Sequence, residues 1–315
     1  MARMPPKNEP CLPPEGCTGR GCQAEILRSK LHGRVSRVSG ESLELNMTGP
    51  SWKLWRNDES GSPCVSYETR FGQGLARVWL VSFPSSGNTW ARYLLEGATG
   101  VFTGSVYDDR TLYEAGFLGE LDAANGGRTI VQKNHGSALF GHPVHDLSGR
   151  YARVNPDLPA ILILRNPARA IISYWKFFVS KAKNRHMAQV LPELFSSEAF
   201  RDFVAETTSL WEELATDRLL WSSGPLHVIH YEHLLQNTTH HLRQMLHFLR
   251  VPVDEGRLWC VSSHLAGSFK RTNNKDLEPF TKEEKVRMSI AVKRVARILL
   301  LLGYPQPPQY PELLL

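Results

Sequence analysis

The chain has 315 residues, a net charge of +6 and a pI near 9.1, with 42% hydrophobic and 22% charged residues. That length holds one large domain or two small ones. Lys and Arg are scattered among 31 acids rather than gathered in runs. This argues against nucleic acid as a partner and for a solvated basic surface suited to acidic small molecules or glycans. The longest apolar run, Ile298–Leu302, is far short of the ~20 residues that span a bilayer, and the N-terminus has no apolar signal-like core. The expectation is a soluble chain, or one whose anchor belongs to a longer form.

Residues 1–74 read as a mostly irregular N-terminal extension. Five of the first fourteen residues are proline, and no period of 2 or 3.6 is sustained. Cys11, Cys17 and Cys22 cluster there at spacings unlike a zinc site, while Cys64 and Cys260 stand alone. Asn46-Met47-Thr48 and Asn237-Thr238-Thr239 fit the glycosylation acceptor pattern.

From Leu75 onward strands and helices alternate. Strands are expected at Val78–Phe83, Thr129–Gln132, Ala160–Leu164 and Leu226–Tyr231. Helices are expected at Thr89–Glu96, from Ala168 to about Lys181, at Ser197–Trp221 and at Glu232–Leu249. The last helix opens on the capping box of Thr281 and Glu284 and stops at Gly303. Ala160–Leu164 is apolar throughout, as a strand buried on both faces must be. The fold class is therefore α/β, a parallel sheet flanked by helices in a single domain over 75–305, with a C-terminal tail at 306–315. Trp175, Phe177 and Phe178 are expected in the core. Ligands of such sheets bind beyond the carboxyl ends of the strands, and the chemistry-bearing motifs fall there.

The first motif is the loop Pro84-Ser85-Ser86-Gly87-Asn88-Thr89 between a strand and a helix. Backbone N–H groups at a helix N-terminus favour an anion, and the hydroxyls can donate to it. The loop is not a Walker A loop, because Asn88 stands where the lysine after the glycine would be. The second motif is Lys133-Asn134-His135. Two residues apart in an extended segment, Lys133 and His135 point to the same side. A histidine can take a hydroxyl proton there while a lysine offsets negative charge. The third is Arg165 with Ser173 eight positions on, a fork and a hydroxyl for a phosphate. His230, His233, His240, His241 and His247 crowd one helix and its entry without a zinc-ligand spacing, so no metal is expected.

Together these motifs resemble the sulfotransferases that use 3′-phosphoadenosine 5′-phosphosulfate, whose sheet is related to that of P-loop NTPases. The resemblance covers roughly residues 75–305. It implies that Ser85, Ser86, Gly87, Asn88, Thr89 and Trp90 hold the phosphosulfate end of that cofactor-like sulfuryl donor. Arg165 and Ser173 would hold the 3′-phosphate, joined by Lys270 and Arg271 of a late basic loop. Tyr231, at the Tyr-Glu strand end, would contact the adenosine. His135 and Lys133 would be catalytic.

The PSSGNTW, VQKNHG and RNPxxAIxSYW segments are most similar to the WSC-domain-containing (sialate O-) sulfotransferases. That resemblance implies a glycan hydroxyl acceptor, with sialic acid favoured, and a Golgi enzyme whose membrane anchor is absent from this chain. The alternative location is the cytoplasm. The acceptor would be read by loops at Ser105–Glu120 and His186–Leu194. One departure stands out: Ser85 follows the loop proline, where cytosolic members usually carry lysine. A nucleotide kinase or NTPase and a non-catalytic binder of anions or glycans are the alternative functions.

Overall fold

The computed structural model describes residues 43–136, 138–139, 155–182, 192–267 and 277–314. Lys270 and Arg271, Cys11, Cys17 and Cys22, and all but the last residues of the segment His186–Leu194 lie outside them. A short antiparallel pair, β1 (Ser51–Trp52) and β2 (Thr69–Arg70), precedes the main sheet. That sheet contains β3 (Trp79–Ser82), β4 (Gly104–Ser105), β5 (Gln132–Asn134), β6 (Ala160–Leu164) and β7 (Leu226–His230). Its order is β4-β5-β3-β6-β7, and every neighbouring pair is parallel.

The helices are α1 (Asn88–Thr99), α2 (Arg110–Glu114), α3 (Pro167–Ala182), α4 (Glu198–Trp221), α5 (Tyr231–Gln236), α6 (Thr238–Leu249), α7 (Glu255–Ser263) and α8 (Lys282–Leu302). The parallel sheet needs apolar cover on both faces, and the alternation along its central strands supplies it. Trp79, Val81, Leu162 and Leu164 pack on one side with residues of α3, α4 and α8. Val78, Leu80, Ile161 and Ile163 pack on the other with residues of α1, α6 and α7. The last helix carries the capping box of Thr281 and Glu284 and ends at Gly303 in the left-handed conformation. None of the described helices is long and apolar enough to cross a membrane.

Several elements differ from the sequence expectation. The strand expected at Thr129–Gln132 pairs instead over Gln132–Asn134, so Lys133 lies inside the sheet and His135 at its end. The apolar Ile130 and Val131 only lead into the ladder. The helix expected over Glu232–Leu249 is two helices, broken at Asn237, whose side chain accepts from His240 N and caps the second. Helix α7 was not expected at all. Phe177 and Phe178 are exposed, whereas Trp175 is buried.

Residues 43–74, read as part of the extension, carry only two-residue strands and a 3-10 turn at Pro63–Ser66. They are nonetheless packed: Trp55 and Cys64 are buried, and Cys64 is disulfide-bonded to Cys260 of α7. The two cysteines that stand alone in sequence are thus partners across 196 positions. In the C-terminal tail, Glu312 accepts from Asn166 Nδ2 at 2.8 Å and from Arg169 Nε at 2.5 Å, and Tyr310 and Leu313 are buried. A disulfide that closes so long a loop removes much unfolded-chain entropy. The double variant Cys64→Ser/Cys260→Ser should therefore lose roughly 2–5 kcal/mol in denaturant unfolding. An unchanged unfolding midpoint would show that the bond stabilises nothing.

Candidate active site

The loop after β3 is shaped by its backbone. Ser85 has φ +60° and Gly87 φ +89°, so the chain turns twice through the left-handed region before α1. At Gly87 a Cβ would stand 2.5 Å from the Tyr231 ring and would force that ring to move. Asn88, in the place of the Walker lysine, points inward. Its Nδ2 donates to Leu80 O and to Ser82 Oγ, both at 3.1 Å, and ties the first turn of α1 to β3. Ser86 is fully buried, and its Oγ has no hydrogen-bond partner among the described residues.

Arg165 reaches this loop from the end of β6. Its NH1 donates to Ser85 O at 2.6 Å, and its guanidinium lies 4.5 Å from the Tyr231 ring centre. Its carbonyl accepts from Trp211 Nε1 of α4 at 3.0 Å. Arg165 is nearly buried, and its Nε has no partner among the described residues. Burial pulls its pKa below the ordinary arginine value. The Trp90 and Tyr231 rings meet edge to face with centres 5.8 Å apart, and Trp90 Nε1 donates to Leu265 O at 2.7 Å. One wall thus brings together Ser85, Gly87, Trp90, Arg165 and Tyr231. Ser173 lies half-buried on α3.

His135 sits at the end of β5, the strand beside β3. Its Nδ1 lies 2.8 Å from Ser82 O, and a carbonyl can only accept. That contact places the ring proton on Nδ1 and leaves a lone pair on Nε2. The His135 N–H donates to the Tyr107 hydroxyl at 2.7 Å, and the imidazole stacks on the Tyr107 ring at 5.3 Å. Burial, with Lys133 beside it, pushes the imidazole pKa down to about 3. Lys133 Nζ is 5.4 Å from the same Tyr107 ring, so Lys133 and His135 do share a side.

Lys133 is not free. It is buried, with Nζ 3.3 Å from Glu120 Oε1. Burial first, then Arg92, lowers its pKa, and Glu120 opposes both. The other oxygen of Glu120 accepts from Arg92 NH1 at 2.7 Å, and Arg92 Nε donates to Thr103 Oγ1 at 2.7 Å. Thr103 N and Oγ1 both donate to Glu96, whose carboxyl burial raises to about 7. Tyr107, Arg92 and Glu120 escaped the sequence reading. The only signal for two of them is their place in the segment Ser105–Glu120, where acceptor contacts are expected.

These elements define an α/β protein with a tight strand-to-helix turn after its central strand and a histidine at the end of the neighbouring strand. A family model described as "Sulfotransferase domain" matches residues 75–294, and the chain belongs to that family. A WSCD family member of Drosophila pseudoobscura pseudoobscura is 32% identical over 228 residues, covering 70% of this chain and 65% of that protein. A WSCD family member of Drosophila melanogaster is 31% identical over 237 residues, covering 72% and 67%. This chain thus spans about two thirds of these relatives' length. The crystal structure of a sulfotransferase from Alicyclobacillus acidocaldarius matches with a TM-score of 0.42 at 16% identity, covering 73% of this chain and 96% of that one.

Two outcomes follow from the charges. Glu120→Ala leaves Arg92 and Lys133 buried without their carboxylate and should cost about 3–5 kcal/mol in chemical unfolding. Restoring packing with Arg92→Met in the same chain should recover part of that loss, and failure to recover any would point away from charge as the cause. The second concerns pH. Between about 6.5 and about 3 the unfolded chain takes a proton that the folded His135 refuses, so stability falls as pH falls through that window. His135→Asn should flatten the slope of melting temperature against pH, though only in part. His227 and His230 are also pushed down, to about 4. An unaltered slope would contradict the burial argument.

Proposed function

We propose that this chain moves a sulfuryl group from 3′-phosphoadenosine 5′-phosphosulfate to a hydroxyl of a glycan, with sialic acid as the acceptor sugar. The observation that carries the reading is the histidine tautomer: a half-buried, neutral His135 with its proton on Nδ1 and a bare Nε2, beside an anion cradle. The residues fit an anionic nucleotide. Ser86 Oγ and Arg165 Nε are buried polar groups with no described partner, and both have capacity to donate.

The sulfuryl donor supplies the activated group: a bond from the acceptor oxygen to sulfur forms as the sulfur–oxygen bond to the 5′-phosphate breaks. His135 Nε2 takes the acceptor hydroxyl proton. The N–H groups and hydroxyls of residues 85–90 receive charge that develops on the phosphosulfate. Lys133 adds positive charge on the His135 side, and Arg165, Ser173, Lys270 and Arg271 take the 3′-phosphate. Tyr231 and Trp90 flank the adenine. Catalysis of this kind rests on positioning and electrostatics, as in phosphoryl transfer, and needs no metal in this reading.

The glycan acceptor rests on the likeness of the PSSGNTW, VQKNHG and RNPxxAIxSYW segments to WSC-domain-containing sulfotransferases and on the match to WSCD family members. A Golgi location is part of the same proposal. Two glycosylation triplets and a disulfide support an oxidising, secretory compartment. The test is transfer of labelled sulfate to a sialylated glycan. His135→Ala should lower the rate by roughly 10²–10⁴-fold while calorimetric binding of adenosine 3′,5′-bisphosphate persists. An unaltered rate overturns the mechanism, and a preference for ATP over the bisphosphate overturns the donor.

A further inference from the structure

We propose that Asp58, Cys64, Cys260 and His264 form a second site, which takes a zinc-class divalent cation when the Cys64–Cys260 disulfide is reduced. The site lies where the 3-10 turn Pro63–Ser66 meets helix α7. A carboxylate oxygen of Asp58, Cys64 Sγ and a ring nitrogen of His264 lie within 4.8 Å of one another. Cys260 Sγ, bonded to Cys64, is the fourth group. Two thiolates, an imidazole and a carboxylate make a ligand set suited to four-coordinate zinc.

The histidine is already oriented for it. His264 Nδ1 lies 2.8 Å from Cys260 O, which can only accept, so Nδ1 is the donor there and Nε2 is the nitrogen turned toward Asp58. A ligating histidine is commonly fixed in this way, by its other nitrogen on a backbone carbonyl. Nε2 faces Asp58 Oδ1 at 3.3 Å. A cation between them would be bound by both groups. Tetrahedral zinc with bonds of about 2.0–2.1 Å to nitrogen and oxygen would hold them about 3.3 Å apart. Ser62 Oγ donates to Asp58 Oδ2 and leaves Oδ1 for the cation. Trp55 lies against the His264 ring at 5.8 Å and both cysteines are buried, while the Asp58 and His264 side chains, 21% and 28% exposed, open to solvent.

The chemistry balances with a dithiol as reductant. It gives two electrons and two protons, the S–S bond breaks into two thiols, and the reductant becomes a disulfide. Cation binding then makes two metal–sulfur bonds and releases the two thiol protons. Reoxidation expels the cation. The same clasp therefore joins residues 43–74 to α7 by a covalent bond in one state and by metal in the other. This readout does not depend on the sulfotransferase reading.

The experiment is a Co²⁺ titration of the full chain, reduced with a phosphine, against the air-oxidised chain. The reduced chain should bind one Co²⁺ with thiolate charge-transfer bands and the visible bands of tetrahedral cobalt, and Zn²⁺ should bleach them. The oxidised chain should show neither. His264→Ala and Asp58→Asn should weaken binding at least tenfold, and the double variant Cys64→Ser/Cys260→Ser should abolish the charge-transfer bands. All three variants keep Cys11, Cys17 and Cys22. Bands that survive Cys64→Ser/Cys260→Ser would belong to those cysteines and overturn the proposal. So would a reduced chain that binds no Co²⁺, undiminished affinity in His264→Ala, or a reduced chain that unfolds and regains no circular dichroism with Zn²⁺.

Discussion

One carboxylate, Glu120, organises the interior beside the candidate site. It is fully buried and meets two cations, Arg92 at 2.7 Å and Lys133 at 3.3 Å. Desolvating three charges is costly, and only close geometry with further hydrogen bonds offsets it. The structure supplies these through Thr103, which accepts from Arg92 and donates to Glu96. Glu120 itself comes from the loop between β4 and β5, the two cations from α1 and β5. The network therefore fixes how helix α1, the edge of the sheet and that loop sit together. It also sets the field at His135. Lys133, held in place by Glu120, is one of the causes that keep the imidazole neutral.

The opposite wall is held by contacts of another kind. Tyr231 lies against the backbone of Gly87, beneath the Arg165 guanidinium and against the edge of Trp90. An arginine over an aromatic face gains a cation–π attraction that strengthens once water is excluded. Strands β3, β6 and β7 thus each send one part to the same place: the loop, the arginine and the tyrosine. Strand β5 sends the histidine. Their parallel order, with β3 at the centre, is what brings four remote segments together at the carboxyl ends.

The alternation of apolar strands and amphipathic helices was legible because its periods are strong. Ala160–Leu164 and the capping box of α8 stand where the residues alone put them. One motif was legible through spacing, since Lys133 and His135 do meet one ring, whereas the reach of Arg165 to the loop was not readable from its spacing to Ser173. What escaped was long-range. Nothing local in Cys64 or Cys260 names the other. Residues 43–74 have no periodicity because they are held by Trp55, a disulfide and the edge pairing of β1 with β2, not by a repeating face. Lys133 looked like a free cation because its partner, Glu120, lies in a loop with no motif. The break at Asn237 was readable in principle, since asparagine caps helices well, but the apolar period carried on across it.

Ser85 marks where the charge balance of this chain parts from the lysine-bearing pattern its loop resembles. A lysine there would carry its own ammonium into the cradle. Ser85 instead adopts a left-handed backbone, and its carbonyl accepts from Arg165 at 2.6 Å. The positive charge at the loop is thus borrowed from the end of β6 rather than built into the loop. A guanidinium tied to a backbone carbonyl and stacked on Tyr231 is preorganised, where a lysine's flexible stem would lose more freedom on ordering. The arrangement makes one residue answer for two tasks. Arg165 shapes the loop through Ser85 and, in the proposed reading, also faces the nucleotide phosphate with the nitrogens that remain. Burial lowers its pKa, yet arginine keeps its charge at any physiological pH, whereas a lysine so buried would be brought near neutrality. A nearly buried position that must stay cationic favours arginine, and the loop can then end its turn with a small residue.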